Sequence, residues 1–122
     1  IINQWEKRIK STMNKTREKI LKIAFKEKIF GYGSPTKIIL FLKLLKLPKK
    51  KIDFIFEDNI LKQNKFLPTY GKKIISTSKI KKINPRYILV FAWNFAEDIK
   101  KNVNKVNKKV KLLVPLPKFK VI

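Results

Sequence analysis

Gly31-Tyr32-Gly33-Ser34-Pro35-Thr36-Lys37 is the stretch of this chain best suited to hold a ligand. Two glycines permit a tight turn and a close approach of backbone to a bound group. Ser34 is a good helix N-cap, and Pro35 suits the first helical position, where a missing N–H costs nothing. A strand, a glycine turn and a capped helix would aim unpaired N–H groups and the positive end of a helix dipole at one point. An anion such as a phosphate is the natural occupant, and Lys37 adds charge in the first turn. The glycines could equally serve only to make a tight turn, because Gly-x-Gly without a third glycine is a weak fingerprint. Glu57 and Asp58 lie at the end of the strand expected over 52–56. An acid at such a strand end can accept bonds from ribose hydroxyls, or simply open a turn. Trp93-Asn94 closes the run 86–92, the clearest strand in the chain. Between these, the polar loop 59–73 carries Lys62, Gln63, Phe66, Pro68, Tyr70 and Gly71, and loops of this length are often functional.

Those residues need elements to position them. Trp5, Ile9, Met13, Ile20 and Ala24 recur at near-helical spacing, which predicts a leading helix over 1–26 with a packing stripe. A short strand at 28–30 precedes the glycine turn. A helix over 35–47 follows, ended by Pro48 and apolar nearly all round, so it is buried in this domain or against a partner. Lys49-Lys50-Lys51 reads as a solvated turn before the strand 52–56. A third short strand falls at 73–75, and Ser76-Thr77-Ser78 caps a short helix reaching Ile83, closed by Asn84-Pro85. The continuous apolar run from Tyr87 to Phe91 suits a central parallel strand covered on both faces. Asn94 and Glu97 form a capping-box-like start for a helix that buries Ile99, Val103 and Val106. A last parallel strand at 110–114 is stopped by Pro115 and Pro117, with a terminal extension over 119–122.

Strands alternating with helices predict an α/β domain: a mainly parallel sheet of about five strands with right-handed crossovers and helices on both faces. The reading is one domain over 1–122, with a leading helix 1–26 and an α/β core 27–122. The glycine turn, Glu57/Asp58 and Trp93-Asn94 all fall at the carboxyl ends of the strands, where such sheets bind ligands. That convergence favours a nucleotide-type site.

Composition narrows the chemistry. The 122 residues include no cysteine and no histidine, which removes thiolate metal sites, disulfides and the commonest general base. No apolar run is long enough to span a bilayer and no signal peptide is visible, so a cytoplasmic protein without a membrane partner is expected. The formal net charge of +23 would attract nucleic acid or acidic membranes without specificity. Lysine, isoleucine and asparagine are abundant throughout, as AT-rich codons would produce, and the lysines are spread along the chain rather than gathered in one arm. The first residue is Ile1 and not methionine, as in a fragment or a domain cut from something longer.

The same residues carry a resemblance. The turn Gly31 to Lys37 resembles the Gly-Tyr-Gly-Ala-x-x-Lys turn in the carboxyl-terminal domain of the sugar C-methyltransferases, enzymes that use S-adenosylmethionine and act on nucleotide-linked sugars. Glu57, Asn59, Lys62 and Gln63, followed by Phe66-Leu67-Pro68, resemble that family's Asp-x-Asn-Pro-x-Lys-Gln-Gly loop and its Tyr-Leu-Pro continuation. Ala92-Trp93-Asn94-Phe95 is similar to its buried strand and helix start, and Lys111-Leu112-Leu113-Val114-Pro115-Leu116-Pro117 to its closing Phe-Ile-Val-Pro-x-Pro strand. Ile60 stands where the family often has proline, and Asn64 where it often has glycine. The resemblance implies a Rossmann-like, three-layer domain that helps enclose a nucleotide-sugar. It also implies that an amino-terminal zinc module and a central methyl-donor domain, with the catalytic groups, lie outside this chain, in cis or in trans. This chain then holds no cofactor and does not catalyse alone; S-adenosylmethionine and zinc belong to the whole enzyme.

The expected substrate-binding residues are Gly31, Tyr32, Gly33, Ser34, Pro35, Lys37, Glu57, Lys62, Gln63, Trp93 and Asn94, which bind and position the sugar nucleotide. None is expected to be catalytic or to bind metal. The alternative is a small basic nucleic-acid-binding protein, which explains the charge but none of the turn motifs. A free-standing methyltransferase binding S-adenosylmethionine at Gly31-Tyr32-Gly33 would need a base, and only Tyr32, Tyr70 and Glu57 offer one near that edge.

Overall fold

Helical periodicity in the first part of the chain produces α1, Gln4–Lys26, in the computed structural model. The structure describes residues 3–35, 38–68 and 70–122; the side chains of Trp5, Glu6 and Ile9 also lie outside that description. The expected stripe is buried at Met13, Ile20 and Ala24, whereas its members Trp5 and Ile9 fall outside the described side chains.

β1, Ile29–Tyr32, runs two residues further than the sequence suggests. Gly31 is therefore inside the strand, and the turn begins at Gly33. α2, Ile38–Leu45, follows, and Lys46 ends it in the left-handed conformation (φ 53°), ahead of Pro48. Its predicted start at 35–37 includes Thr36 and Lys37, which lie outside the described residues. The lysine turn at Lys49–Lys51 is a short 3-10 helix leading into β2, Ile52–Glu57. The loop after β2 contains a 3-10 turn at Ile60–Lys62 and a bridge between Phe66 and Lys73. β3 is Ile74–Ser76. Ser76 caps the next turn by accepting from the Ser78 N–H, and α3, Ile80–Ile83, closes at the left-handed Asn84.

β4, Tyr87–Val90, is followed by a 3-10 turn at Trp93–Phe95, so α4 begins at Ala96 and runs to Val106. The Asn94/Glu97 capping box is not formed, because the turn separates Asn94 from the helix start and Phe95 takes the cap position without a side-chain bond. Val106, expected on the buried stripe of α4, is exposed, while Ile99 and Val103 are buried. β5, Lys111–Val114, is parallel, and β6, Lys120–Val121, turns back antiparallel to it as a sixth strand.

The sheet order is β3-β2-β1-β4-β5-β6, parallel apart from the last strand. Strand pleating sends alternate residues to opposite faces. Ile29, Ile55, Leu89, Phe91 and Leu113 pack with α1 and α2. Phe30, Tyr32, Phe56, Ile88, Val90 and Leu112 pack with α3 and α4. Each fully buried aliphatic side chain of these two cores contributes about 2 kcal/mol, which is what fixes the register of the sheet. Strand order reverses between β1 and β4, and that switch point opens a crevice beyond the carboxyl edge.

Candidate functional site

The turn after β1 is organised by Glu57, not by a ligand. The Glu57 carboxylate is buried, and its Oε1 accepts from the Ser34 hydroxyl at 2.6 Å and from the Ser34 backbone N–H at 3.1 Å. Its Oε2 accepts from the Asn59 N–H at 3.2 Å. The Gly33 N–H donates to the Phe56 carbonyl at 2.8 Å. The expectation of free amides at Gly33 and Ser34 is thus corrected: a carboxylate of the protein already occupies the anion position. Glu57, expected to meet a ribose, is turned inward for the same reason. Ser34 serves this lock.

The two glycines have separate reasons. Gly33 adopts φ +87°, a conformation that strains any side chain. At Gly31 a Cβ would lie 2.5 Å from both Ile55 Cδ1 and Phe91 Cε2, so the glycine admits side-chain packing in the sheet rather than a ligand. Tyr32 faces the opposite core, and its hydroxyl donates to Asp58 Oδ2 at 2.8 Å. Burial, then the bond to Asp58 and the neighbouring negative charges, push the phenol well above its ordinary value, so it stays protonated and donates. The Thr77 hydroxyl holds the other Asp58 oxygen at 2.8 Å, tying the ends of β1 and β2 to the turn after β3. Gly31 and Tyr32 are therefore packing residues.

The loop after β2 brings a cation back to the turn. Asn59 Oδ1 accepts from the Leu61 N–H at 3.0 Å, shaping the 3-10 turn that carries Lys62. Lys62 Nζ donates to the Ser34 carbonyl at 2.9 Å, and Gln63 Nε2 donates to the Glu57 carbonyl at 2.8 Å. An ammonium has three donors, and the bond to Ser34 uses one of them. On the other side of Ser34, Pro35 lines the switch-point crevice together with Trp93 and Asn94. The crevice has a volume of about 380 Å³ and is mostly apolar, with Phe41, Phe91 and Phe95 among its walls. Pro35, Trp93 and Asn94 thus meet as expected, Lys62 and Gln63 meet the turn, and Lys37 lies outside the described residues. Sequence reading missed Thr77 and Phe95. Thr77 was legible only as part of a capping run, and Phe95 only as a residue beside Trp93.

The sequence model of the C-methyltransferase C-terminal domain matches residues 1–117. The chain belongs to this family. A C-methyltransferase from Streptomyces niveus, NovU, is 34% identical over 95 residues, which cover 77% of this chain and 23% of the relative. The matched part of this chain therefore spans about a quarter of that relative's length. Among solved structures, the UDP-D-quinovosamine 4-dehydrogenase of Vibrio fischeri superposes with a TM-score of 0.52 at 18% identity, covering 72% of this chain and 76% of that one. That likeness concerns the Rossmann-type fold alone.

Membership of a methyltransferase family implies S-adenosylmethionine. The residues present fit it poorly at the glycine turn, because the amides of Gly33 and Ser34 and the Glu57 carboxylate are already paired with protein groups. No residue here is assigned to the methyl donor. Among the described residues, no group of three histidine, cysteine, aspartate or glutamate side chains could hold a metal, and no helix is long and apolar enough to cross a membrane.

Proposed function

We propose that this chain is the substrate-binding and structural carboxyl-terminal domain of an S-adenosylmethionine-dependent C-methyltransferase acting on a nucleotide-linked sugar. The observation that carries the reading is Lys62, whose ammonium is held 2.9 Å from the Ser34 carbonyl, one residue from the wall of the switch-point crevice. The cation faces the acidic group of the sugar nucleotide, and Gln63 steadies the loop. Trp93 and Asn94 line the crevice that receives the rest of the ligand. Gly33, Ser34 and Glu57 position these groups and make no contact with the ligand. Chemistry is left to the methyl-donor domain.

Lys62→Ala in the assembled enzyme is expected to raise KM for the nucleotide-sugar about tenfold, as loss of one charge-assisted contact does. S-adenosylmethionine affinity should stay the same, and Lys62→Arg should restore most of the loss. An unchanged KM in a folded Lys62→Ala enzyme contradicts the assignment. The nucleic-acid reading gains nothing from the structure: exposed lysines occur on α1 and on α4, which cover opposite faces of the sheet.

A further inference from the structure

The amino edge of the sheet carries a second concavity, at the opposite ends of the strands from the crevice. It has a volume of about 620 Å³ and lies where the end of α1, the turn before β4 and the turn from α4 into β5 meet. Among the described residues its charged lining is Arg86, Lys109 and Lys111, against one carboxylate, Glu27. Arg86 stands one residue ahead of β4 and Lys111 opens β5. The Lys111 N–H donates to the Arg86 carbonyl at 3.0 Å, so parallel pairing of the two strands holds both cations at this edge.

The groups of this pocket are held in place. Glu27 Oε1 accepts from Arg86 Nη1 at 2.6 Å, which fixes the guanidinium against the end of α1. The turn that carries Lys109 is tied on both sides: the Asn107 N–H donates to the Val103 carbonyl at 2.8 Å, and Lys100 Nζ donates to the Val110 carbonyl at 2.9 Å. The side-chain oxygens of the lining amides already face protein donors. Asn84 Oδ1 accepts from Asn107 Nδ2 at 2.7 Å, and Asn107 Oδ1 accepts from the Lys109 N–H at 2.9 Å. Three cations against one carboxylate leave positive charge and N–H donors in excess, which selects an anion.

Arginine is scarce in this chain, three among 31 basic residues, so a lysine-rich composition does not account for Arg86. Its planar fork matches a pair of phosphate oxygens. At about 30 Å³ per water molecule the pocket holds on the order of 20 waters, far more than one phosphate displaces. A nucleic-acid duplex presents its phosphates along a line, whereas these cations converge on one concavity that also contains Glu27. We propose that the pocket at the amino edge binds a small diphosphate-bearing anion, clamped by Arg86 together with Lys109 and Lys111. The site stands whether or not the crevice takes a sugar nucleotide.

Lysine acetylation, read residue by residue by mass spectrometry, tests the site in the full-length protein that contains this chain. Inorganic pyrophosphate at physiological salt should protect Lys109 and Lys111 saturably. Lys7 and Lys10, exposed near the other end of α1, should stay unprotected. Arg86→Lys keeps the charge and loses the fork, and should raise the midpoint about tenfold. Lys111→Ala leaves the Glu27–Arg86 pair intact and should raise the midpoint at Lys109 as much, so the test survives an Arg86 variant that does not fold. Adenosine diphosphate should protect the same two lysines, at the pyrophosphate midpoint if the diphosphate alone is recognised and at a lower one if the nucleoside adds contacts. Lys109 and Lys111 that acetylate at an unchanged rate in millimolar pyrophosphate overturn the proposal. Equal protection of Lys7 and Lys10 also overturns it, since that is the response of net charge alone. So does a midpoint that stays put in a folded Arg86→Lys or Lys111→Ala protein. A random-sequence duplex that protects Lys109 and Lys111 at a lower phosphate concentration than pyrophosphate overturns it in favour of a nucleic-acid surface.

Discussion

Gly31→Val is expected to remove about 3 kcal/mol of folding stability, at the upper end for overpacking a core. A Cβ at this position meets Ile55 Cδ1 and Phe91 Cε2, each at 2.5 Å. Both neighbours are fully buried, and β1 is flanked by paired strands on either side, so neither the side chains nor the strand can move aside cheaply. A small domain has about 5–15 kcal/mol of stability in total, so the variant would unfold at a much lower urea concentration. Gly31→Ala should cost less. Combining it with Phe91→Leu should recover part of the loss, because the smaller side chain vacates the space the new methyl needs. Strict additivity of the two changes would show that the glycine is required for another reason.

Glu57→Ala is expected to destabilise the domain by about 3 kcal/mol and to weaken the site at the same time. The substitution leaves the Ser34 N–H, the Ser34 hydroxyl and the Asn59 N–H without their acceptor. Buried donors that lose a charged partner cost about 1–3 kcal/mol each, offset at Asn59 and at the rotating hydroxyl by water. Glu57→Gln should cost about 1 kcal/mol. Its amide oxygen can still accept from Ser34, but its NH₂ confronts the Asn59 N–H. Because Lys62 reaches Ser34 across the same turn, loosening it frees the cation as well. Chemical denaturation gives the stability change, and KM for the nucleotide-sugar gives the second effect. A Glu57→Ala protein as stable as the unmodified one would contradict the lock.

How much of this was legible depended on the range of the interaction. Strand and helix order followed from local pattern, because Ile88 to Val90 and the pair Ile99/Val103 are buried by the periodicity they display. The crevice was legible too: Pro35 and Trp93-Asn94 share it because topology alone brings the ends of β1 and β4 together. The role of Glu57 was not. A carboxylate at a strand end can face a ribose or its own turn, and what decides is the Ser34 donor 23 residues away in sequence. Gly31 and Gly33 read alike as turn glycines. Only the neighbours of Gly31, Ile55 and Phe91, and the positive φ of Gly33 separate their tasks. The exposed side of α2 was legible as an excess of leucine beyond what one buried face requires, and Leu40 and Leu44 are that excess. The sixth strand was hidden because Lys120 and Val121 have no pattern of their own and pair only once β5 is in place.

The central claim is that the switch-point crevice receives the nucleotide-sugar while the methyl donor binds elsewhere. The most direct measurement places 5-fluorotryptophan in the assembled methyltransferase and follows the resonance of Trp93 by fluorine NMR, assigned with Trp93→Phe. Titration with a nucleoside-diphosphate-sugar should shift that resonance saturably, with a midpoint that moves to higher concentration in Lys62→Ala. S-adenosylmethionine alone should leave it in place. A Trp93 resonance that stays fixed through saturation with a sugar nucleotide the enzyme methylates, or that moves with S-adenosylmethionine instead, would contradict the account.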